Sequence, residues 1–100
     1  MIVHNVFFAL KDNTLEAKNQ LLESCKTYLT GHPGTRYFAV GTLAHEINRP
    51  VNDRDFDVAL LIVFENQAAH DRYQQSSKHL EFIEKNRTGW KKVRVFDSET

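Results

Sequence analysis

Two stretches of the chain are mostly apolar in both of their alternating phases, and this limits the possible folds more than any other feature. They are Ile2–Leu10 and Phe56–Phe64, which are interrupted only by His4, Asn5 and Asp57. Successive side chains of a β-strand point to opposite faces of its sheet. Both stretches are therefore predicted to be strands of a sheet that is covered on both sides.

The other segments alternate with turn signals in a regular order. The chain is predicted to run strand, helix, strand, strand, helix, strand, the βαββαβ order of a ferredoxin-like α+β fold with an antiparallel four-stranded sheet. Residues 1–100 then form a single domain, a size that can bury a core without disulfides. The predicted elements are Ile2–Leu10, a helix ending near Leu29, Arg36–Leu43, Phe56–Phe64, Gln67–Gln75, a helical piece Leu80–Arg87, and Trp90–Asp97.

Helix boundaries are marked by capping and breaking residues. Asn13 followed by Glu16 has the spacing of a capping box, which predicts that the first helix starts there. Asn66 is a suitable N-cap for the second helix. Ser76-Ser77 disfavours a helix interior and can cap a new one, so a break is predicted between Gln75 and Leu80.

The predicted fold leaves one sheet face bare, since its helices can cover only one side. A bare apolar face of several hundred Å² is uncommon on a soluble monomer and usually marks an interaction surface. The simplest cover is a second copy packed sheet to sheet, so a homodimer is predicted.

Charge and cysteine content exclude several classes of function. Lys plus Arg and Asp plus Glu number 13 each, so no net field draws the chain to nucleic acid or to an anionic membrane. The segment Met1–Leu10 fits neither a signal peptide nor a membrane span. The single Cys25 cannot form an internal disulfide, and it lies in the apolar stripe of the first helix. A cytoplasmic protein with a core thiol is predicted.

Several short motifs, taken together, resemble one known family. The chain resembles the stress-responsive α/β barrel (Dabb) family of the dimeric α/β barrel superfamily, and the resemblance covers nearly its whole length. The matching pieces are His4-x-Val6-x-Phe8-x-Leu10-Lys11, Pro33-Gly34, Phe56-Asp57, Phe64, Tyr73, His79, and Trp90-x-Lys92-Val93-x-Val95-Phe96-Asp97.

This resemblance implies a dimer of four-stranded sheets with a cavity that binds a small apolar or carbonyl-containing molecule. The family is similar to a polyketide cyclase in which a Tyr and a His act on a linear polyketide, and these roles would fall on Tyr73 and His79. No cofactor is implied. The residues expected in the cavity wall are His4, Val6, Phe8, Leu21, Leu22 and Leu60.

The chemistry of the two side chains supports the same pair independently. Aldol cyclisation needs a base that removes a proton next to a carbonyl and a donor that stabilises the enolate. A neutral imidazole and a phenol can fill these roles. On one continuous helix, Tyr73 and His79 would point about 120° apart. They converge only if the chain breaks at Ser76-Ser77.

Two other interpretations of the function remain open. Asn5, Trp90 and His79 could form the site of a cofactor-independent monooxygenase, although core packing is expected for Trp90. The protein could also be a non-catalytic structural dimer. His4, on an apolar strand phase, is expected to hydrogen-bond to a neighbour rather than to bind metal. His32, His45 and His70 are expected in solvent, and no metal site is predicted because no pair has a ligand spacing.

Overall fold

The computed structural model describes residues 1–100 and has the predicted order of strands and helices. The second helical segment is divided in two, and a short 3-10 helix, Arg87–Gly89, precedes the last strand. The elements are β1 (Ile2–Leu10), α1 (Leu15–Tyr28), β2 (Thr35–Thr42), β3 (Val58–Phe64), α2 (Gln67–Gln75), α3 (Ser77–Asn86) and β4 (Trp90–Glu99).

The four strands form one antiparallel sheet in the order β2-β3-β1-β4. The two apolar strands predicted from the sequence, β1 and β3, are its central pair. In this register His4 lies opposite Ile62 on β3 and opposite Asp97 on β4. The ferredoxin-like fold class is thereby confirmed.

The core lies between the helices and one face of the sheet. Along β3, the alternate residues Val58, Leu60, Ile62 and Phe64 are all at most 2% exposed. Cys25 of α1 is fully buried beside them, and burial raises the pKa of its thiol to about 12. A thiol that stays protonated is a poor nucleophile. Cys25 is therefore a core residue, as predicted.

The N-cap of α1 is Thr14, so the prediction of a capping box beginning at Asn13 was wrong. The Thr14 hydroxyl accepts a hydrogen bond from the Ala17 amide at 3.2 Å. The Asp12 carboxylate accepts one from the Thr14 amide at 3.1 Å. Because the turn is held by these two side chains, the helix begins one residue later than the Asn13 and Glu16 spacing indicated.

The predicted break in the second helical segment is present. Ser76 has an extended backbone (φ −66°, ψ 150°) and ends α2 while it caps α3. Its amide donates to the Tyr73 carbonyl, and its hydroxyl accepts from the His79 amide at 3.2 Å. The helix after the break starts at Ser77 rather than at Leu80, so His79 lies in its first turn.

The second face of the sheet carries no helix. Apolar and aromatic side chains from all four strands lie on it, and Phe7 packs edge-on against Phe56 and Phe96, with ring centroids 5.1 and 5.9 Å apart. Tyr37 and Phe96 are more than half exposed. We call this surface the open face; it comprises Val3, Asn5, Phe7, Tyr37, Ala39, Ala59, Leu61, Val63 and Phe96.

The long connection between β2 and β3 is tied to the edge strand by charge. Arg94 donates a hydrogen bond to the Asp53 carboxylate at 2.6 Å, and Lys92 pairs with Asp55. These hydrogen bonds hold the pKa of both aspartates below the ordinary value. Two of the basic residues near the C-terminus are thus neutralised within the fold.

No helix of the protein is long and apolar enough to cross a bilayer.

Candidate functional site

A cavity of about 390 Å³ lies between the helix-covered face of the sheet and helices α2 and α3. It opens towards the edge strand β4, where Val93 and Val95 are exposed. Most of its lining is apolar, and its polar side chains come from four different elements. The lining residues are His4, Val6, Phe8, Leu29, Leu60, His70, Tyr73, Gln74, His79, Phe82, Ile83, Trp90, Val93, Val95 and Asp97.

His79 is held in this cavity by the helix cap. Its backbone amide donates a hydrogen bond to the Ser76 hydroxyl. The residue is 9% exposed, and its ring packs against Tyr73. Burial lowers the pKa of His79, and the nearby His4 and His32 lower it further; the Gln74 carbonyl acts in the opposite direction. The imidazole is therefore neutral at pH 7 and able to accept a proton. Its buried Nδ1 has no hydrogen-bond partner in the protein.

Tyr73 lies at the centre of the site. It is 2% exposed, and its ring is edge-on to His79, with centroids 4.7 Å apart and planes at 88°. His4 and His32 flank it at centroid distances of 6.0 and 5.0 Å. Burial raises the pKa of Tyr73 well above its ordinary value. The phenol stays protonated at neutral pH and can donate a hydrogen bond.

The buried His4 of β1 is hydrogen-bonded to the half-exposed Asp97 of β4. The His4 Nδ1–H donates to the Asp97 Oδ1 at 2.5 Å, because an ionised carboxylate can only accept. This assigns the proton of neutral His4 to Nδ1 and leaves Nε2 as an acceptor. Burial lowers the pKa of His4 and outweighs the opposing effect of Asp97. The expectation that His4 hydrogen-bonds to a neighbour is confirmed.

The structure brings together six of the eight residues selected from the sequence. His4, Val6, Phe8, Leu60, Tyr73 and His79 all line the cavity. The expected position of Leu21 and Leu22 in its wall was wrong. Leu21 is 3% exposed within the core cluster, and Leu22 packs against that cluster; α1 contributes only its C-cap, Leu29, to the cavity.

Three polar residues of the site were not predicted from the sequence. Asp97 and His70 line the cavity, and His32 stacks on Tyr73 while its Nε2–H donates to the Tyr28 carbonyl at 2.8 Å. The expectation that His32 and His70 lie in solvent was wrong, whereas His45 is exposed as expected. Two signals were present: His70 lies three residues before Tyr73 on one helix face, and Asp97 belongs to the strand phase of Val93 and Val95.

Asn5 does not join Trp90 and His79 in a common site. The Trp90 ring packs against Phe8 and Phe82 at centroid distances of 5.1 and 5.9 Å, which agrees with the core role expected for it. Asn5 faces the open side of the sheet, opposite the cavity, because it lies one residue from His4 on β1. The three residues cannot act on one small substrate.

The arrangement can perform proton transfer on a small apolar molecule. It offers two neutral imidazoles with lowered pKa, a protonated phenol as donor, and mostly apolar walls. A base and a donor on opposite sides of one carbonyl group are what enolate chemistry requires. His70 and Asp97 add two further titratable side chains to the lining of the cavity.

Solved structures of several proteins share this fold. A Dabb family protein with a ferredoxin-like fold from Mesorhizobium loti is 23% identical, with a TM-score of 0.81 over 99% of this chain and 95% of that one. A dimeric ferredoxin-like protein from Thermobifida fusca is 14% identical (TM-score 0.80; 99% and 90%). A hydroxynitrile lyase from Passiflora edulis is 21% identical (TM-score 0.76; 97% and 90%).

These likenesses show a common fold. No curated protein matches the sequence. The family model described as Dabb, stress responsive A/B barrel domain, matches residues 2–100. Since this match spans almost every residue, the chain belongs to the Dabb family of stress responsive A/B barrel domains.

Proposed function

We propose that the protein is a homodimer that binds a small, largely apolar carbonyl compound in the cavity between the sheet and helices α2 and α3. The observation that carries this proposal is the buried Nδ1 of His79, which has no partner in a largely apolar cavity. Buried polar atoms in folded proteins are nearly always hydrogen-bonded. A bound molecule with a polar group would supply the missing partner.

A carbonyl compound fits the polar groups that surround the cavity. The protonated phenol of Tyr73 can donate to a carbonyl oxygen, and neutral His79 can accept an acidic proton from the neighbouring carbon. The apolar side chains of Val6, Phe8 and Leu60 would cover a hydrocarbon chain. A volume of about 390 Å³ lies in the range of small-molecule pockets.

Binding can be tested by NMR with a linear β-keto ester of six to nine carbons as the probe. We expect shifts of the backbone amide signals of Tyr73, His79 and Val6, and at least a tenfold loss of affinity in Tyr73→Leu, which removes the donor. His45→Gln changes an exposed loop histidine and should bind normally. Shifts confined to the open face, or equal affinity in Tyr73→Leu, would place the ligand elsewhere.

A lyase activity is the second candidate, favoured by the pairing of Tyr73 and His79 with ring centroids only 4.7 Å apart. Such a pair suits reactions that make or break a bond next to a carbonyl through proton transfer, as in polyketide cyclisation. That the Passiflora edulis relative is a hydroxynitrile lyase supports this class. A monooxygenase site is less well supported because Asn5 lies on the opposite sheet face, and a purely structural dimer would leave the cavity without a role.

The homodimer is supported by the open face. Its apolar residues lie on all four strands without a covering helix, and the similar protein from Thermobifida fusca is described as dimeric. Two copies packed on these faces would bury the cluster of Phe7, Phe56 and Phe96. The one thiol, fully buried Cys25, also fits the cytoplasmic setting expected from the sequence.

Sedimentation at micromolar concentration tests this assembly. We expect the protein to sediment at about twice its chain mass of 11.6 kDa, since the open face would be covered. Phe96→Lys should shift the equilibrium to folded monomer because a charge would be buried in the interface. Leu80→Lys, a matched change at an equally exposed leucine on α3, should remain dimeric. A wild-type monomer would contradict the proposal.

A further inference from the structure

We propose that His4, His70 and Asp97 form a binding site for a divalent transition-metal ion at the mouth of the cavity. One ligand atom from each of these side chains lies within 4.8 Å of the other two. The set comprises two imidazoles and one carboxylate. It does not include Tyr73 or His79, so it stands independently of the function proposed above.

Three elements that are distant in sequence bring these ligands together. His4 and Asp97 are directly opposite each other in the antiparallel register of β1 and β4. His70 approaches from α2, with its ring edge-on to His4 and the two centroids 5.2 Å apart. The sheet fixes the backbones of His4 and Asp97, and the Asn66 cap fixes the start of α2, which carries His70. Little chain entropy is therefore lost when an ion binds.

The geometry requires only modest adjustments: the His4–Asp97 pair widens slightly, and His70 moves closer to it. Ligand atoms around a tetrahedral ion at about 2.1 Å from each lie roughly 3.4 Å apart. His4 and Asp97 are already in contact, with Nδ1 and Oδ1 2.5 Å apart and the Nδ1 proton of His4 between them. The ion would take the place of this proton, which moves to Nε2 as neutral His4 changes tautomer, while His70 turns its ring towards the pair. Asp97 is about half exposed, so it can move.

The donor set selects the class of metal. Two imidazole nitrogens and one carboxylate oxygen suit Zn²⁺, Co²⁺, Ni²⁺ or Fe²⁺, whereas Mg²⁺ and Ca²⁺ prefer oxygen ligands alone. Three protein ligands on one side leave coordination positions free towards the cavity. The site is therefore of the open kind, able to hold a water molecule or a small oxygen-containing ligand beside the ion.

The sequence alone does not predict this site because its ligands have no motif spacing. His4 and His70 are 66 positions apart in the chain, and Asp97 is 93 positions from His4. His70 also forms a contact with Asp71, at 3.1 Å between Nδ1 and Oδ1, which leaves Nε2 for an ion. A carboxylate on the second nitrogen of a ligating histidine orients the ring and makes it more basic.

Titration of the full chain with Co²⁺ at pH 7.5, followed by visible absorption and calorimetry, tests the proposal. We expect one Co²⁺ per chain and d–d bands that Zn²⁺ abolishes by displacement. His70→Gln and Asp97→Asn should each weaken binding at least about tenfold. His45→Gln, a matched change of an exposed histidine, should bind like wild type, and so should His79→Ala.

Loss of binding in His79→Ala with retention in His70→Gln would overturn this ligand set. So would the absence of d–d bands, or saturation by Mg²⁺ at the same concentration. Thermal unfolding without metal checks that each variant folds. Zn²⁺ should raise the melting temperature of the wild type and of His45→Gln, but not that of Asp97→Asn, since an ion stabilises only a fold that binds it.

Discussion

Replacing His79 with alanine is expected to slow exchange of the C2 protons of a linear β-keto ester by roughly 100- to 10,000-fold, the usual contribution of a general base. His79 is buried and neutral, and its Nδ1 has no partner, so the variant removes the base while the cap of α3 stays in place. The hydrogen bond to the Ser76 hydroxyl is donated by the backbone amide of residue 79, so the variant retains it. Exchange into deuterated water can be followed by proton NMR.

The pH profile of the same reaction provides a second measurement. A base acts only when it is unprotonated, and burial lowers the pKa of His79 below its ordinary value of 6.5. The wild-type rate should therefore stay level from pH 8 to below 6.5 and fall only at lower pH. Tyr73→Phe should keep this profile at a reduced rate, since it removes the donor alone. An unchanged rate in His79→Ala would rule out its role as the base.

Replacing Gly34 with alanine is expected to cost about 2 to 5 kcal/mol of unfolding free energy. Gly34 has a φ of +83°, where a side chain costs roughly 1 to 2 kcal/mol. A Cβ at this position would also lie 2.5 Å from the Cβ of Ala69, which is fully buried in the first turn of α2. Overpacking of this kind costs about 1 to 3 kcal/mol more.

Gly31→Ala is the matched control because Gly31 has a similar φ of +75° but nothing within 4 Å of the added Cβ. It should lose only the backbone contribution, about 1 to 2 kcal/mol. The unfolding free energies of the two variants, measured in urea, separate the cost of the contact with Ala69 from the cost of the backbone strain. An equal loss in both would mean that α2 moves away freely. If Gly34→Ala loses more stability than Gly31→Ala, the forced contact with α2 should also weaken binding in the cavity, because α2 carries Tyr73.

The strands and the helix break could be predicted from the sequence because their signals are local. Alternation of apolar residues over Phe56–Phe64 needs no knowledge of the rest of the chain, and neither does the low helix preference of Ser76-Ser77. Even local signals compete, however. Asn13 and Thr14 are both good N-caps, and the choice of Thr14 depended on the hydrogen bond that Asp12 makes to its amide.

The candidate site was predicted only in part. Tyr73 and His79 could be selected because each side chain has a chemistry that the fold class can use. Leu21 and Leu22, which the family resemblance placed in the cavity wall, pack in the core instead, because a family pattern does not fix how a helix packs on the sheet. His70 was missed because α2 is polar in composition, and only its packing places this ring beside His4.

By itself the sequence determined the order of elements, the two central strands with apolar residues on both faces, and the interruption before His79. Alternation, capping and helix breaking act over a few residues, so they can be recognised without a fold. The tertiary structure decided the pairing of His4 with Asp97, the approach of His70 and the closeness of Gly34 to Ala69. These contacts depend on strand register and helix packing, which are set by the energy of the whole core rather than by any one segment.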